Sequence, residues 1–183
     1  MDQEHRPWTP ATAYFITMPT FRGAPLFKGE KAMELWLSAL RQAKQEHPFE
    51  LEGQVILPDH LHLLVRVPQS TSDVAVRIDR ARALFANAAA ASTEDSGGQK
   101  MGPAEIWKRN YLEHMVADQI EFDTFLDYLH YNPVEHGYVE SPRDWPYSTF
   151  QSCVEKGRYL FEWGTPLYGM APDFSAIKDF VGE

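Results

Sequence analysis

Residues 50–67 read ELEGQVILPDHLHLLVRV. Two runs of strand-like composition, 50–57 and 60–67, flank Pro58-Asp59, a pair suited to a tight turn, so the stretch predicts a β-hairpin. Alternation along the second run sends His60, His62 and Arg66 to one face and Leu61, Leu63 and Val65 to the other. The apolar face needs a cover, and the flanking sequence supplies one. Upstream, residues 12–17 (TAYFIT) read as a strand, and Pro19, Gly23 and Pro25 mark a loop after it. From Glu30 to Glu46, Ala32, Leu35, Trp36, Ala39, Leu40 and Ala43 recur at steps of three and four, which predicts a helix ended by Pro48. Downstream, residues 72–91 predict a second helix, and STEDSGGQKMGP (92–103) a polar loop. A short strand follows around 111–116. Residues 119–131 then predict a third helix, with Phe122, Phe125, Leu126 and Leu129 on one stripe and Pro133 as its stop. This order predicts an α+β sandwich, a mainly antiparallel sheet with helices packed on it.

A chain of 183 residues with 44% hydrophobic and 13% aromatic content is large and apolar enough for one core, which excludes disordered and fibrous classes. Its apolar runs fall far short of the roughly 18 to 20 residues needed to span a membrane. The charged start MDQEHRPWTP does not resemble a secretory signal, and the single Cys153 forms no intrachain disulfide; both suit a cytoplasmic setting. The net charge of -9 argues against binding a phosphate backbone. That excess is uneven, however: residues 1–100 hold 11 basic against 12 acidic residues, and residues 101–183 hold 6 against 14.

Two constellations suggest chemistry. His60 and His62, side by side on one strand face, are able to hold a divalent metal, although a bare His-x-His equally suits polar residues on a half-exposed strand. Tyr128 and Asn132 stand four apart, hence on one helix face, and Pro133 places Asn132 at the helix end. Taken singly they read as a rim tyrosine and a helix cap. Together with the histidines they form a set in which a tyrosine attacks a phosphodiester polarised by a metal with three neutral ligands.

Four blocks now stand in order: PDHLHLLV (58–65), WKRNYLEH (107–114), DYLHYNPVEHGYV (127–139) and DWPYSTF (144–150). They resemble the REP-associated tyrosine transposases, members of the single-tyrosine transposases within the HUH nuclease superfamily, over residues 14–150. The resemblance implies a ferredoxin-like domain that binds and cleaves single-stranded DNA, often at hairpin-forming repeats, with Mg or Mn. It implies Tyr128 as the nucleophile, His60 and His62 as metal ligands with Asn132 as the third, and a 5′-phosphotyrosine link beside a free 3′-OH as products. Residues 1–150 would be the catalytic unit and 151–183 a C-terminal tail.

Arg66, Arg77, Arg80 and Arg82 are the candidate phosphate contacts, with surface solubility as the equal alternative. His114 reads as a buried, hydrogen-bonded histidine. His130 and His136 are left outside the site, His130 for its helix face and His136 for lying past Pro133. Asp118, Glu121, Asp123 and Asp127 read as a solvated face. Trp145, Tyr147, Phe150, Tyr159, Phe161 and Trp163 pack onto the domain or stack on bases. The acidity predicts weak, strongly salt-sensitive DNA binding. Two further readings remain: a repeat-DNA-binding protein without turnover, and a metal-dependent hydrolase of another phosphodiester.

Overall fold

The computed structural model describes residues 13–68, 73–95, 102–166, 169 and 171–182. Its strands are β1 (Ala13–Pro19), β2 (Glu50–Ile56), β3 (His60–Arg66) and β4 (Leu112–Met115), and its helices are α1 (Glu30–Glu46), α2 (Val74–Asp95), α3 (Gln119–Glu135), α4 (Phe150–Glu155) and α5 (Lys178–Val181). The strands form one antiparallel sheet in the order β2-β3-β1-β4. With α1 and α2 as the two crossovers, this is the ferredoxin-like arrangement that the resemblance implies.

The hairpin forms around Pro58-Asp59, closed by the Leu57 N–H donating to the His60 carbonyl at 2.9 Å. The turn is itself anchored, since the Asp59 carbonyl accepts from Thr20 N–H and the Pro58 carbonyl from Phe27 N–H. Period two then divides the sheet. Tyr14, Ile16, Met18, Leu61, Leu63 and Val65 face a core shared with α1 and α2, where Trp36 and Phe85 are fully enclosed. Ala13, Phe15, Val55 and Leu64 face a second core, completed by α3 and by Phe174, Ile177 and Val181 near the C-terminal end. Every strand residue of β1 before Pro19 is therefore buried, because helices cover both faces.

Gly53 sets how closely α3 approaches the sheet. A Cβ there would lie 2.7 Å from Leu126 Cδ1 and 3.3 Å from Leu129 Cδ1, so a larger residue forces these two leucine side chains to shift. Beside it, a bulge between Leu51 and Gly53 leaves Glu52 to accept from Arg66 Nε at 2.9 Å.

Two expectations need correction. Helix α2 reaches Asp95, so the expected loop loses its first four residues, and its middle lies outside the described residues. Within the expected C-terminal tail, Phe174, Ile177 and Val181 are core side chains. Most consequentially, α3 continues through Pro133 to Glu135. A proline removes one N–H and clashes one turn back, but near a C-terminus little of the hydrogen-bond ladder remains to be lost. The end is closed instead by His136 N–H donating to Asn132 O, Tyr138 N–H to Pro133 O and Gly137 N–H to Val134 O, with Gly137 at φ 71 supplying the left-handed step.

Candidate active site

The histidine pair stands on β3, one of the two central strands, and faces α3. His60 is 8% exposed and His62 is fully buried, so the half-exposed alternative does not hold. Their ring centroids lie 5.1 Å apart at 78°. His60 Nδ1 lies 2.8 Å from the Asp59 carboxylate, an acceptor, so Nδ1 carries a hydrogen and donates it. His62 stacks on Phe15 at 5.2 Å, and its Nδ1 lies 3.0 Å from the hydroxyl of Thr17, its partner across the sheet register.

Helix α3 brings the tyrosine. The Tyr128 ring stands edge-on to His62 at 5.5 Å and to Phe15 at 6.0 Å, and is closed from the other side by Phe174 at 5.3 Å. Asn132 follows one turn later, fully buried. Because the helix does not stop at Pro133, one face also carries His136 a further turn on, as the helix cap. Its ring centroid lies 5.1 Å from that of His60. His136 is thus the residue that sequence reasoning left out; the spacing 128, 132, 136 was the signal, hidden by treating Pro133 as a stop.

The four arginines do not join this group. Arg66 shares the histidine face, but its guanidinium engages Glu52 and lies over Phe122 at 4.5 Å. Arg77, Arg80 and Arg82 stand on α2, which packs against the opposite face of the sheet. Arg77 is only 6% exposed and donates to the carbonyls of Pro48 and Asp73, which ties α2 to the turn after α1. Arg80 pairs with Glu46, whose carboxyl this hydrogen bond lowers to about 2. Arg82 donates to the Lys108 carbonyl at 2.7 Å and lies over the Tyr111 ring at 4.9 Å.

A protein of Haemophilus influenzae named for the REP-associated tyrosine transposases is 34% identical over 166 residues, 90% of this chain and 94% of that one. The chain belongs to that family. A REP-associated tyrosine transposase of Escherichia coli is 31% identical over 78% of this chain and 77% of its own length. The solved structure of a REP-associated tyrosine transposase bound to a REP hairpin superposes with a TM-score of 0.71 at 28% identity, over 96% of each chain. No family model matches the chain. Membership of the REP-associated tyrosine transposases carries the general expectation of a nuclease and strand transferase. Among the described residues no helix is long and apolar enough to cross a membrane.

Several acidic residues of and before the third helix are structural. Asp118 caps α3 by accepting from Glu121 N–H, and Glu121 accepts from the half-buried His114 at 2.9 Å. Asp127 accepts from the Tyr159 hydroxyl at 2.7 Å, and burial raises the pKa of both groups. Phe150, Tyr159 and Trp163 pack on one another, and Trp145 donates to the Ile56 carbonyl; Phe161 is exposed beside Arg143.

His130, on the other flank of α3, is fully buried, with its Nε2 2.9 Å from Thr149 Oγ1. Burial, and secondarily the Arg158 cation, holds its pKa down at about 3. An unfolded histidine titrates near ~6.5, so between these values the unfolded chain binds a proton that the folded chain refuses. The contribution is complete above that upper value and declines as pH falls, by up to about 1.4 kcal/mol per pH unit. Urea unfolding across this window should show the slope, and His130→Gln should flatten it; an unchanged slope would exclude His130 as its source.

Proposed function

We propose that the chain binds single-stranded DNA, at hairpin-forming repeats, and cleaves and rejoins it through Tyr128. The carrying observation is the convergence of Tyr128 with His62, at 5.5 Å between ring centroids, from two separate elements. His60 and His62 supply imidazole nitrogens and Asn132 an amide oxygen. Asn132, one helical turn beyond Tyr128 and fully buried, is the proposed third donor. This neutral set fits a divalent ion of the Mn or Mg type, which when bound would polarise the scissile phosphate. His60 is suited to that role because Asp59 fixes its Nδ1–H.

In the proposed step the phenolic oxygen of Tyr128 gives its proton to water and attacks phosphorus. The O–P bond to tyrosine forms as the bond from phosphorus to the 3′-oxygen breaks, and that oxygen takes a proton from water and leaves as a 3′-OH. The 5′-phosphotyrosine ester conserves the bond energy, so attack by a 3′-OH rejoins the strand. Residues 1–150 hold these groups and 151–183 form the proposed accessory segment. The REP hairpin bound in the superposed relative supports the choice of substrate. Incubation with hairpin-bearing single-stranded DNA and Mn²⁺ should give a covalent adduct on a denaturing gel; no adduct with either Mn²⁺ or Mg²⁺ would overturn this reading.

One observation favours a binding protein without turnover as the second reading. Tyr128, His62 and Asn132 are each at most 3% exposed, and Phe174 lies on the tyrosine, so a DNA strand reaches them only if the C-terminal segment moves. Hairpin binding with no adduct under either metal would favour it.

A further inference from the structure

The hydroxyl of Thr17 has two neighbours and one hydrogen. It donates to the Val181 carbonyl at 2.7 Å, an acceptor that carries no hydrogen of its own. The contact at 3.0 Å with His62 Nδ1 therefore runs the other way: Nδ1–H donates and the Thr17 oxygen accepts. We infer that Thr17 is a positioning residue whose bond to Val181 fixes His62 as the Nδ1–H tautomer, keeping its Nε2 lone pair for a metal ion. The inference rests on the proposed role of His62.

Both ends of this relay are built into the fold. Thr17 lies directly opposite His62 in the β1–β3 register, fully within the second core at 2% exposure. Phe15 stacks on the imidazole at an interplanar angle of 22° and holds the ring plane. Val181 is delivered by α5, whose attachment is apolar: Ile177 and Val181 belong to the second core. If that segment leaves, Thr17 recovers a hydrogen and is able to donate to Nδ1, and the tautomer with hydrogen on Nε2 becomes available. The C-terminal segment thus acts on the histidine through one hydroxyl, a role separate from covering the tyrosine.

The relay also differs from that of His60. Asp59 is a carboxylate with no hydrogen to give, so it orients His60 whatever the C-terminal segment does. Only His62 depends on the segment.

Ring-nitrogen NMR on the full metal-free chain, with His62 assigned by His62→Gln, reads the tautomer directly. Wild type should show Nδ1–H. Thr17→Val, nearly isosteric, should populate Nε2–H and weaken Mn²⁺ binding by about 10- to 100-fold, the usual loss when a partner of a ligating histidine is removed. Thr17→Ser should restore both, which a merely packing role for the methyl group would not. Nε2–H in wild type, or Nδ1–H with unchanged Mn²⁺ affinity in Thr17→Val, would overturn the inference. These readouts need no DNA: a chain that shows the relay but forms no adduct refutes the proposed function alone, and a chain that forms the adduct with the opposite tautomer refutes the relay alone.

Discussion

Tyr128→Phe should abolish the covalent protein–DNA adduct while leaving the fold and hairpin binding intact. The substitution removes one oxygen and keeps the ring that meets His62, Phe15 and Phe174, so the packing that holds α3 on the sheet survives. Its stability cost should be small, because the buried ring and its contacts are all kept. The chemical cost is total, because a phenyl ring has no atom that can form a phosphate ester. Tyr131 and Tyr159 provide controls on the same side of the sheet. Tyr131 stands three residues on and packs against Trp163 and Phe174, and the Tyr159 hydroxyl is bound to Asp127. An adduct of undiminished yield in Tyr128→Phe would show that the nucleophile is another residue.

Phe15→Ala should be among the most destabilising single changes in the second core. Phe15 is fully buried, stacks on Phe125 at 4.4 Å and on His62 at 5.2 Å, and meets the edge of Tyr128. Truncating an enclosed phenylalanine costs about 3 to 5 kcal/mol through lost burial and the cavity left behind. Against a total stability of roughly 5 to 15 kcal/mol, that brings the fold close to its limit. The cavity would also open between the histidine and the helix that carries Tyr128, so Mn²⁺ binding should fall even where the fold persists. Thermal unfolding with parallel Mn²⁺ titration separates the effects; a loss below about 1 kcal/mol would mean that the neighbouring rings close over the gap.

The hairpin was legible because two independent signals agreed, the Pro58-Asp59 turn and the alternation around His60 and His62. Helix α1 was readable from its stripe to the same ends observed. The candidate residues stand out in the sequence because two histidines at step two and a tyrosine and asparagine at step four are local patterns, and the fold brings Tyr128 beside His62. Two features were hidden. Pro133 is a strong breaker signal inside a helix but a weak one in its last turn, and that position is known only once the closing bonds to His136, Gly137 and Tyr138 are seen. Thr17 was invisible because its relation to His62 spans 45 residues and exists only through the register of two strands. The arginines on α2 lie across the sheet from the tyrosine, a separation that exists only in the fold.

Strand β3 is paired along both edges, to β1 and to β2, and is enclosed on both faces. The segment that reaches Thr17 is a four-residue helix with Phe180 on its outer side 39% exposed. These two parts of one site differ in how much structure must break to free them. Local opening follows the amount of packing lost, so amide hydrogen exchange should be slowest in β3 and faster by orders of magnitude in α5. The histidines then sit on a strand held on both edges and both faces, while part of their cover is a four-residue helix. Opening of α5 would therefore release the Thr17 hydroxyl while the histidine strand stays folded beneath it.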